Sequence, residues 1–246
     1  MHSLKPVLIF LLPVLLSAVA QAQTPATPAT DTAVIATVLD RKITASDRDR
    51  LSGIILGALL ENFATDNSIE PTPEELDAFT RKTEEKRQQH EVEMQADRQK
   101  LQQELKDPSL ADAERQLKQK RLQSIERILE SSLKMETQSK AMEEQMRPMQ
   151  RQMAHQFVRA WKINKALYKK YGGRIIFQQA GVEPVDAYRD FLREQEKLGA
   201  FRILDRQYEA GFWRYFTNDA MHTFYPGDVG EKFINIPWWL MDEPVQ

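Results

Sequence analysis

Residues 72–106 read TPEELDAFTRKTEEKRQQHEVEMQADRQKLQQELK, and this stretch decides the fold. Of the 33 residues from Glu74 to Lys106, 16 are charged and 8 are apolar, with no glycine and no proline. Most of these residue types are strong helix formers, and opposite charges recur three or four positions apart. The stretch therefore predicts a long helix that is too polar to be buried on all sides.

The start of this helix is marked at Thr72, a common N-cap residue, and Glu75 completes a capping box. Residues 107–109, Asp-Pro-Ser, then interrupt the pattern. A second helix is predicted to begin at the serine of that break, with Asp112 at its own capping-box position. Two helices joined by so short a break fold back most simply as an antiparallel hairpin, predicted here over residues 72–147.

The second helix carries two apolar stripes at helical spacing. One consists of Leu122, Ile125, Leu129 and Leu133. The other is rich in methionine and consists of Ile128, Met135, Met142, Met146, Met149 and Met153. A kink is expected at Pro148. Beyond it Met149, Met153, Phe157, Trp161 and Tyr168 are predicted to share one face of the helix, which Gly172 ends.

The first 22 residues predict a secretory signal peptide that is cleaved after Ala22. Lys5 precedes an apolar run from Val7 to Val19, and small residues follow the run. The run is too short to span a membrane, and it contains a proline. Residues 23–32 repeat Thr-Pro-Ala-Thr and predict a disordered leader. These features predict an exported, periplasmic protein with no membrane span.

Composition excludes several classes of function. The 34 Lys and Arg include one in residues 1–22, so 33 remain against 36 Asp and Glu, a formal charge of −3. This near balance argues against a nucleic-acid partner. The chain has no cysteine, its four histidines are far apart, and it has no nucleophile, phosphate-loop or dinucleotide motif. We therefore expect no catalytic residue, no metal site and no cofactor.

The compact part of the protein is expected to combine both ends of the mature chain. Val34–Leu39 predicts a strand, and an amphipathic helix follows it. Aromatic residues are concentrated after Phe157, which places the core in the C-terminal third. The strand needs a partner, and Lys232–Ile236 is preferred over Ile175–Gln178.

The predicted fold class is mainly α, with a compact helical body, a minor β element and a long projecting antiparallel helical hairpin. Residues 33–71 and the aromatic-rich residues 148–246 are expected to form the body, and residues 72–147 the hairpin arm.

The segment from Ala33 to Phe79 follows a recognisable order. A V-x-A-x-V strand is followed by a short polar turn, Ile-Thr, an Asp-led amphipathic helix, a polar linker and T-x-E-E-L-D. This order resembles the N-terminal domain of the SurA family of periplasmic chaperones, whose relatives include the PrsA-type foldases. The turn departs from the family pattern, because Asp40-Arg41-Lys42 stands where members often carry Asn-Gly-Glu.

The resemblance, which covers about a fifth of the chain, implies a helical core that binds unfolded outer-membrane or secreted proteins. In that family the core is often joined to a parvulin-type prolyl isomerase domain. No such domain is recognisable in the sequence, because the one Gly-Gly pair, Gly172-Gly173, leads into Arg-Ile-Ile instead of the parvulin turn.

The sequence thus predicts a periplasmic, ATP-independent, chaperone-like protein that binds non-native polypeptides. Methionine is flexible and suits surfaces that accept many apolar shapes, but it also fills ordinary helix seams. The expected contact residues are Met135, Met142, Met146, Met149, Met153, Phe157 and Trp161.

Two other functions stay open at this point. The protein could be an envelope structural or tethering protein whose arm self-associates or pairs with a partner helix as a coiled coil. It could also be a SurA-type peptidyl-prolyl isomerase with a missing or divergent catalytic domain. Binding of denatured outer-membrane protein by a monomer favours the chaperone, whereas a tight dimer favours the tether.

Overall fold

The computed structural model describes residues 32–178 and 181–241, with all their side chains except those of residues 135–145. The predicted signal peptide, nearly all of the predicted leader and the side chains of Met135 and Met142 lie outside this description. The helices are α1 (Leu51–Asp66), α2 (Pro73–Glu104), α3 (Asp112–Tyr171), α4 (Val185–Lys197), α5 (Glu209–Thr217) and α6 (Gly227–Asn235). The strands are β1 (Val34–Val38), β2 (Arg41–Thr44), β3 (Ile176–Gln178), β4 (Gly181–Glu183) and β5 (Phe201–Ile203). The predicted fold class, including the long helical hairpin, is confirmed.

A three-stranded antiparallel sheet in the order β2-β1-β5 joins the two ends of the body. Leu39 and Asp40 form the turn between β1 and β2, and both have positive φ, 45° and 64°. Such a two-residue turn matches the twist of a tight hairpin. β1 also pairs with β5, with Val38 opposite Phe201.

Both predicted partners of β1 are wrong. Lys232–Asn235 lies in α6, where the apolar residues Phe233 and Ile234 pack beside Ile175. Ile176–Gln178 forms β3, which pairs with β4 in a separate two-stranded hairpin. β1 pairs instead with β2 and β5. β5 has only three residues, which is too short to show an alternating pattern in the sequence.

One apolar core lies beneath the three-stranded sheet and contains residues from both ends of the chain. Ile35 and Ile43 from the sheet and Ile55 from α1 are fully buried there. They share the core with Phe191 of α4 and Phe212 of α5. The chain segments that precede and follow the arm therefore pack into a single body.

The start of α2 agrees with the predicted capping box. The Glu75 N–H donates to Thr72 Oγ1 at 3.3 Å, and the Thr72 N–H donates to the Glu75 carboxylate at 2.7 Å. The predicted start of the second helix at Ser109 is wrong, because α3 begins at Asp112. The N–H and the hydroxyl of Ser109 both donate to Asp107 Oδ1, at 2.9 and 2.7 Å, so this serine closes a local turn instead of capping the helix.

Helix α3 is 60 residues long and runs unbroken through Pro148, so it belongs to both the arm and the body. The hairpin predicted to end at residue 147 therefore has no helix boundary there. No helix among the described residues has an apolar stretch long enough to cross a membrane.

Two contacts show that α3 bows away from α2 in the middle of the arm. Near the tip Arg121 donates to Asp97 at 2.7 Å, and at the base Phe157 stacks on Phe79 with ring centroids 5.7 Å apart. At 1.5 Å per residue these contacts are about 27 Å apart along α2 and about 54 Å apart along α3. Two straight, parallel rods cannot satisfy both contacts. Pro148, which lacks an N–H for the helix ladder, lies within the longer segment.

Burial in the arm agrees with this bow. Ile125 is buried, whereas Leu133, two turns further along the same stripe, is 60% exposed. None of residues 80–100 of α2, and none of the described side chains from 126 to 153 of α3, is buried. The arm is thus closed at its tip and at its base and open between them.

An aromatic cluster, which we call the aromatic base, fastens α2 to α3 and to the segment after α6. Its members are Phe79, Phe157, Trp161, Trp238 and Trp239. The ring of Trp239 lies 5.1 Å from that of Phe79 and 5.7 Å from that of Trp161. Lys86 of α2 adds hydrogen bonds to the carbonyls of Trp238 and Met241, at 3.3 and 2.5 Å.

An ion-pair network around Arg174 ties the chain after α3 to α4 and to the turn that follows α5. The Arg174 guanidinium binds both oxygens of the buried Asp186, at 2.8 and 3.0 Å, and both oxygens of Asp219, at 2.7 and 2.9 Å. Asp186 also accepts from Arg189 at 2.8 Å. The Arg174 hydrogen bonds lower the pKa of Asp186 from 3.8 to about 2, against the opposing effect of burial.

We expect Asp186→Asn to destabilise the protein by about 2 kcal/mol at pH 7, because a lowered native pKa stabilises the folded state above the unfolded pKa. That contribution is lost as the pH falls from about 4 toward 2, so the two proteins should converge there. Urea unfolding at several pH values measures the difference. Asp190→Asn on the same helix, which removes a more exposed pair with Arg189, is the control. If the difference in unfolding free energy between the unmodified protein and Asp186→Asn stays constant from pH 7 to pH 2, the stabilising role of the ionised Asp186 is contradicted.

Candidate functional site

Helix α3 presents an exposed apolar face where it leaves the arm. Met149 is 48% exposed and Met153 is 43% exposed, and Gln156 and Ala160 are also exposed. At 100° per residue these four side chains fall within an arc of about 60°. We call this set, Met149, Met153, Gln156 and Ala160, the Met face.

The Met face continues into a groove of about 360 Å3 in the body. Gln156 and Ala160 belong to both, and Ile163 of α3 extends the floor. One wall is formed by Gly57 and Leu60 of α1, and the other by Gly181 and Val182 of β4. A cleft of this size lies at the lower end of the range for ligand pockets.

Two side chains hold the β4 wall against the floor. The buried Asn164 of α3 donates from Nδ2 to the Val182 carbonyl at 2.8 Å and accepts from the Tyr188 hydroxyl at 2.5 Å. Burial raises the pKa of Tyr188 well above its ordinary value, and the nearby Glu183 carboxylate adds to that shift. The Tyr188 hydroxyl therefore stays protonated and donates to Asn164. This hydrogen bond and the one from Asn164 to Val182 hold the β4 wall in a fixed position.

The α1 wall is open because Gly57 has no side chain. A Cβ added at Gly57 would meet no atom within 4 Å. The groove on this side is therefore bounded by helix backbone and by Leu60, which is half-buried. A backbone this accessible permits close approach of another chain.

Charged residues lie at the rim on the α1 side. Arg159 of α3 donates to Glu61 of α1 and to Glu70 of the following linker, the latter at 3.1 Å. The hydrogen bond to Glu61 is the largest cause of the raised pKa of Arg159. His155 also lies 3.2 Å from the Glu70 carboxylate. These contacts hold α1, the linker and α3 together beside the groove.

The contact residues expected from the sequence separate into two groups. Met149 and Met153 are exposed on the Met face, and Met146 is half-buried. Phe157 and Trp161 are half-buried in the aromatic base, where the Trp161 indole N–H donates to the Ile234 carbonyl at 3.0 Å. They lie beside the Met face and not on it. The roles of Met135 and Met142 are not addressed by the described side chains.

Sequence reasoning missed several residues of the groove. Gln156 and Ala160 follow Met149 and Met153 at helical spacing, so the periodicity alone could have found them. Leu60 and Val182 come from α1 and β4, and their place in the groove depends on how those elements pack on α3.

The chain matches no family model, no curated protein and no solved structure. The resemblance of residues 33–79 to the SurA N-terminal domain therefore stays a prediction from the sequence pattern.

Proposed function

We propose that this is a periplasmic, ATP-independent, chaperone-like protein that binds non-native polypeptides on the Met face and in the adjoining groove. The observation that carries the proposal is the exposure of Met149 and Met153 on a helix face that leads into an apolar cleft. Exposed apolar surface that is continuous with a cleft is a mark of interaction sites. The resemblance to SurA-family chaperones supports the same function.

The energetics suit reversible binding of many sequences. Burying one methionine side chain contributes roughly 1.5–3 kcal/mol, so two methionines and a short groove give weak to moderate affinity. Methionine side chains adopt many shapes at little cost, which favours broad over narrow selectivity. The groove walls are held by hydrogen bonds through Asn164 and Arg159. The flexible side chains of Met149 and Met153 therefore lie next to a rigid groove.

The arm contributes space and solubility in this proposal. Its charged faces stay in water, and its open middle reaches the Met face, because Met149 and Met153 belong to the part of α3 in which no described side chain is buried. A bound segment leaving the groove along α3 would thus meet the open part of the arm before it meets bulk solvent.

The tethering alternative receives less support from the arm. The strongly exposed apolar residues in its described part are Val92 of α2 and Leu117 and Leu133 of α3. Leu117 and Leu133 are 16 residues apart, which places them about 160° apart around the helix. A coiled coil needs apolar side chains along one seam, and these residues do not form one. No contact or cleft in the described residues specifically favours prolyl isomerase chemistry.

The double substitution Met149→Ser and Met153→Ser tests the proposal. We expect the variant to suppress aggregation of a urea-denatured outer-membrane protein at least about threefold less well, because it removes the exposed apolar part of the face. The helix content measured by circular dichroism should not change, since both side chains face solvent.

Met221→Ser is the matched control, because Met221 is 49% exposed but lies outside the Met face and the groove. The proposal would be contradicted if the double variant still suppressed aggregation fully, or if the control lost as much of this activity as the double variant.

A further inference from the structure

The groove has an excess of negative charge. Glu61 and Glu183 line it on opposite sides, and Glu70 joins the rim through Arg159 and His155. Three carboxylates are thus set against the Arg159 guanidinium and the His155 imidazole. The nearby Lys162 donates to the Glu70 carbonyl, but its ion pair is with Glu75, outside the groove. The apolar floor of Ala160 and Ile163 lies between the two walls.

Glu183 is the carboxylate that lacks a cation. Its Oε2 accepts from the Tyr215 hydroxyl at 2.6 Å, and throughout residues 32–178 and 181–241 no lysine, arginine or histidine forms an ion pair with it. Burial and this hydrogen bond raise the pKa of Tyr215, so the tyrosine remains a neutral donor. Glu183 is itself half-buried, and the attraction between a carboxylate and an opposite charge is stronger in such a place than in bulk water.

We propose that the groove selects polypeptide segments in which a lysine or arginine lies among apolar residues. The positive group would sit at Glu183, and its aliphatic stem would lie on Ala160 and Ile163. Lysine and arginine combine a long apolar stem with a charged end, which is the combination that this floor and wall provide. The inference rests on the proposed function, because it names the class of segment that the same site prefers.

The charge pattern also explains why an acidic segment is disfavoured. A carboxylate entering the groove would face Glu183 on one wall and Glu61 on the other. The cation on the Glu61 side, Arg159, is already shared by Glu61 and Glu70. Like charges placed together in a partly desolvated site lower affinity. The groove should therefore rank segments as cationic first, neutral second and acidic last.

Three fluorescein-labelled ten-residue peptides test this order. They share the same leucine and phenylalanine positions and differ at one central residue, which is lysine, glutamine or glutamate. Fluorescence anisotropy with the full chain should show the lysine peptide binding about fivefold more tightly than the glutamine peptide. The glutamate peptide should bind most weakly, and the differences should shrink at high salt.

Glu183→Gln isolates the charge, because glutamine can still accept the Tyr215 hydrogen bond. We expect this variant to bring the lysine and glutamine peptides within about twofold of each other. Glu231→Gln makes the same charge change at an exposed site of α6 outside the groove and should leave the fivefold preference intact. Equal binding of all three peptides to the unmodified protein, or an unchanged preference in Glu183→Gln, would overturn the inference.

The outcomes separate this inference from the proposed function. If all three peptides bind equally and the Met149/Met153 double variant weakens all of them, the protein binds non-native segments without charge selection. If no peptide binds and aggregation is not suppressed, both ideas fail. A preference for lysine that Glu183→Gln abolishes supports both.

Discussion

Replacing Gly173 by alanine is expected to destabilise the protein by about 4 kcal/mol, from backbone strain and overpacking together. Gly173 has φ +95°, and a Cβ at this position would stand 2.4 Å from the Cβ of Asp186. Asp186 cannot move aside without loss, because its carboxylate holds Arg174 and Arg189. Urea unfolding followed by circular dichroism measures the change.

Gly172→Ala is the control for this substitution. Gly172 has a similar φ, +66°, but a Cβ there would meet no atom within 4 Å. Its replacement should therefore cost only the backbone strain, about 2 kcal/mol. Equal losses in the two variants would show that the contact with Asp186 is not the cause.

Trp239→Ala is expected to have an effect of similar size, about 3–5 kcal/mol, because it removes a large buried ring from the aromatic base. Trp239 contacts the rings of Phe79, Trp161 and Trp238 at 5.1 to 5.7 Å. Its loss should loosen the N-terminal half of α2 from α3. Hydrogen exchange should then become faster in residues 73–86 than in the three-stranded sheet.

Leu240→Ala, at the exposed neighbouring position, is the control and should change stability by less than about 0.5 kcal/mol. If Trp239→Ala leaves exchange in α2 unchanged, the aromatic base does not fasten the arm.

Local signals in the sequence predicted much of the fold. The capping box at Thr72, the scarcity of apolar residues in α2 and the short, mostly apolar run of β1 are all properties of neighbouring residues. They act before any tertiary contact exists, so periodicity and capping rules find them. The β-pairing was not predictable in this way, because the choice of β5 over Lys232–Ile236 depends on the packing of the whole body.

The candidate site was predictable only in part, for a related reason. A methionine stripe with this spacing fits a buried seam and an open face equally well, and only the packing around α3 shows that Met149 and Met153 are exposed. Phe157 follows in the same apolar run but lies about 80° around the helix from Met149. That rotation is enough to place it against Phe79 and not beside the methionines.

The pairing of β1 with β5 also fixes when the body can be completed. Val38 and Phe201 are neighbours in the sheet although roughly 160 residues separate them in the chain. The tip of the arm depends on contacts nearer in sequence, such as that of Arg121 with Asp97, and can form while the C-terminal third is still being synthesised. Closing so long a loop is slow. One edge of β1 therefore stays unpaired until β5 has been synthesised. A chain built in this order is itself exposed to misassembly during its biogenesis, at the edge that β5 finally covers.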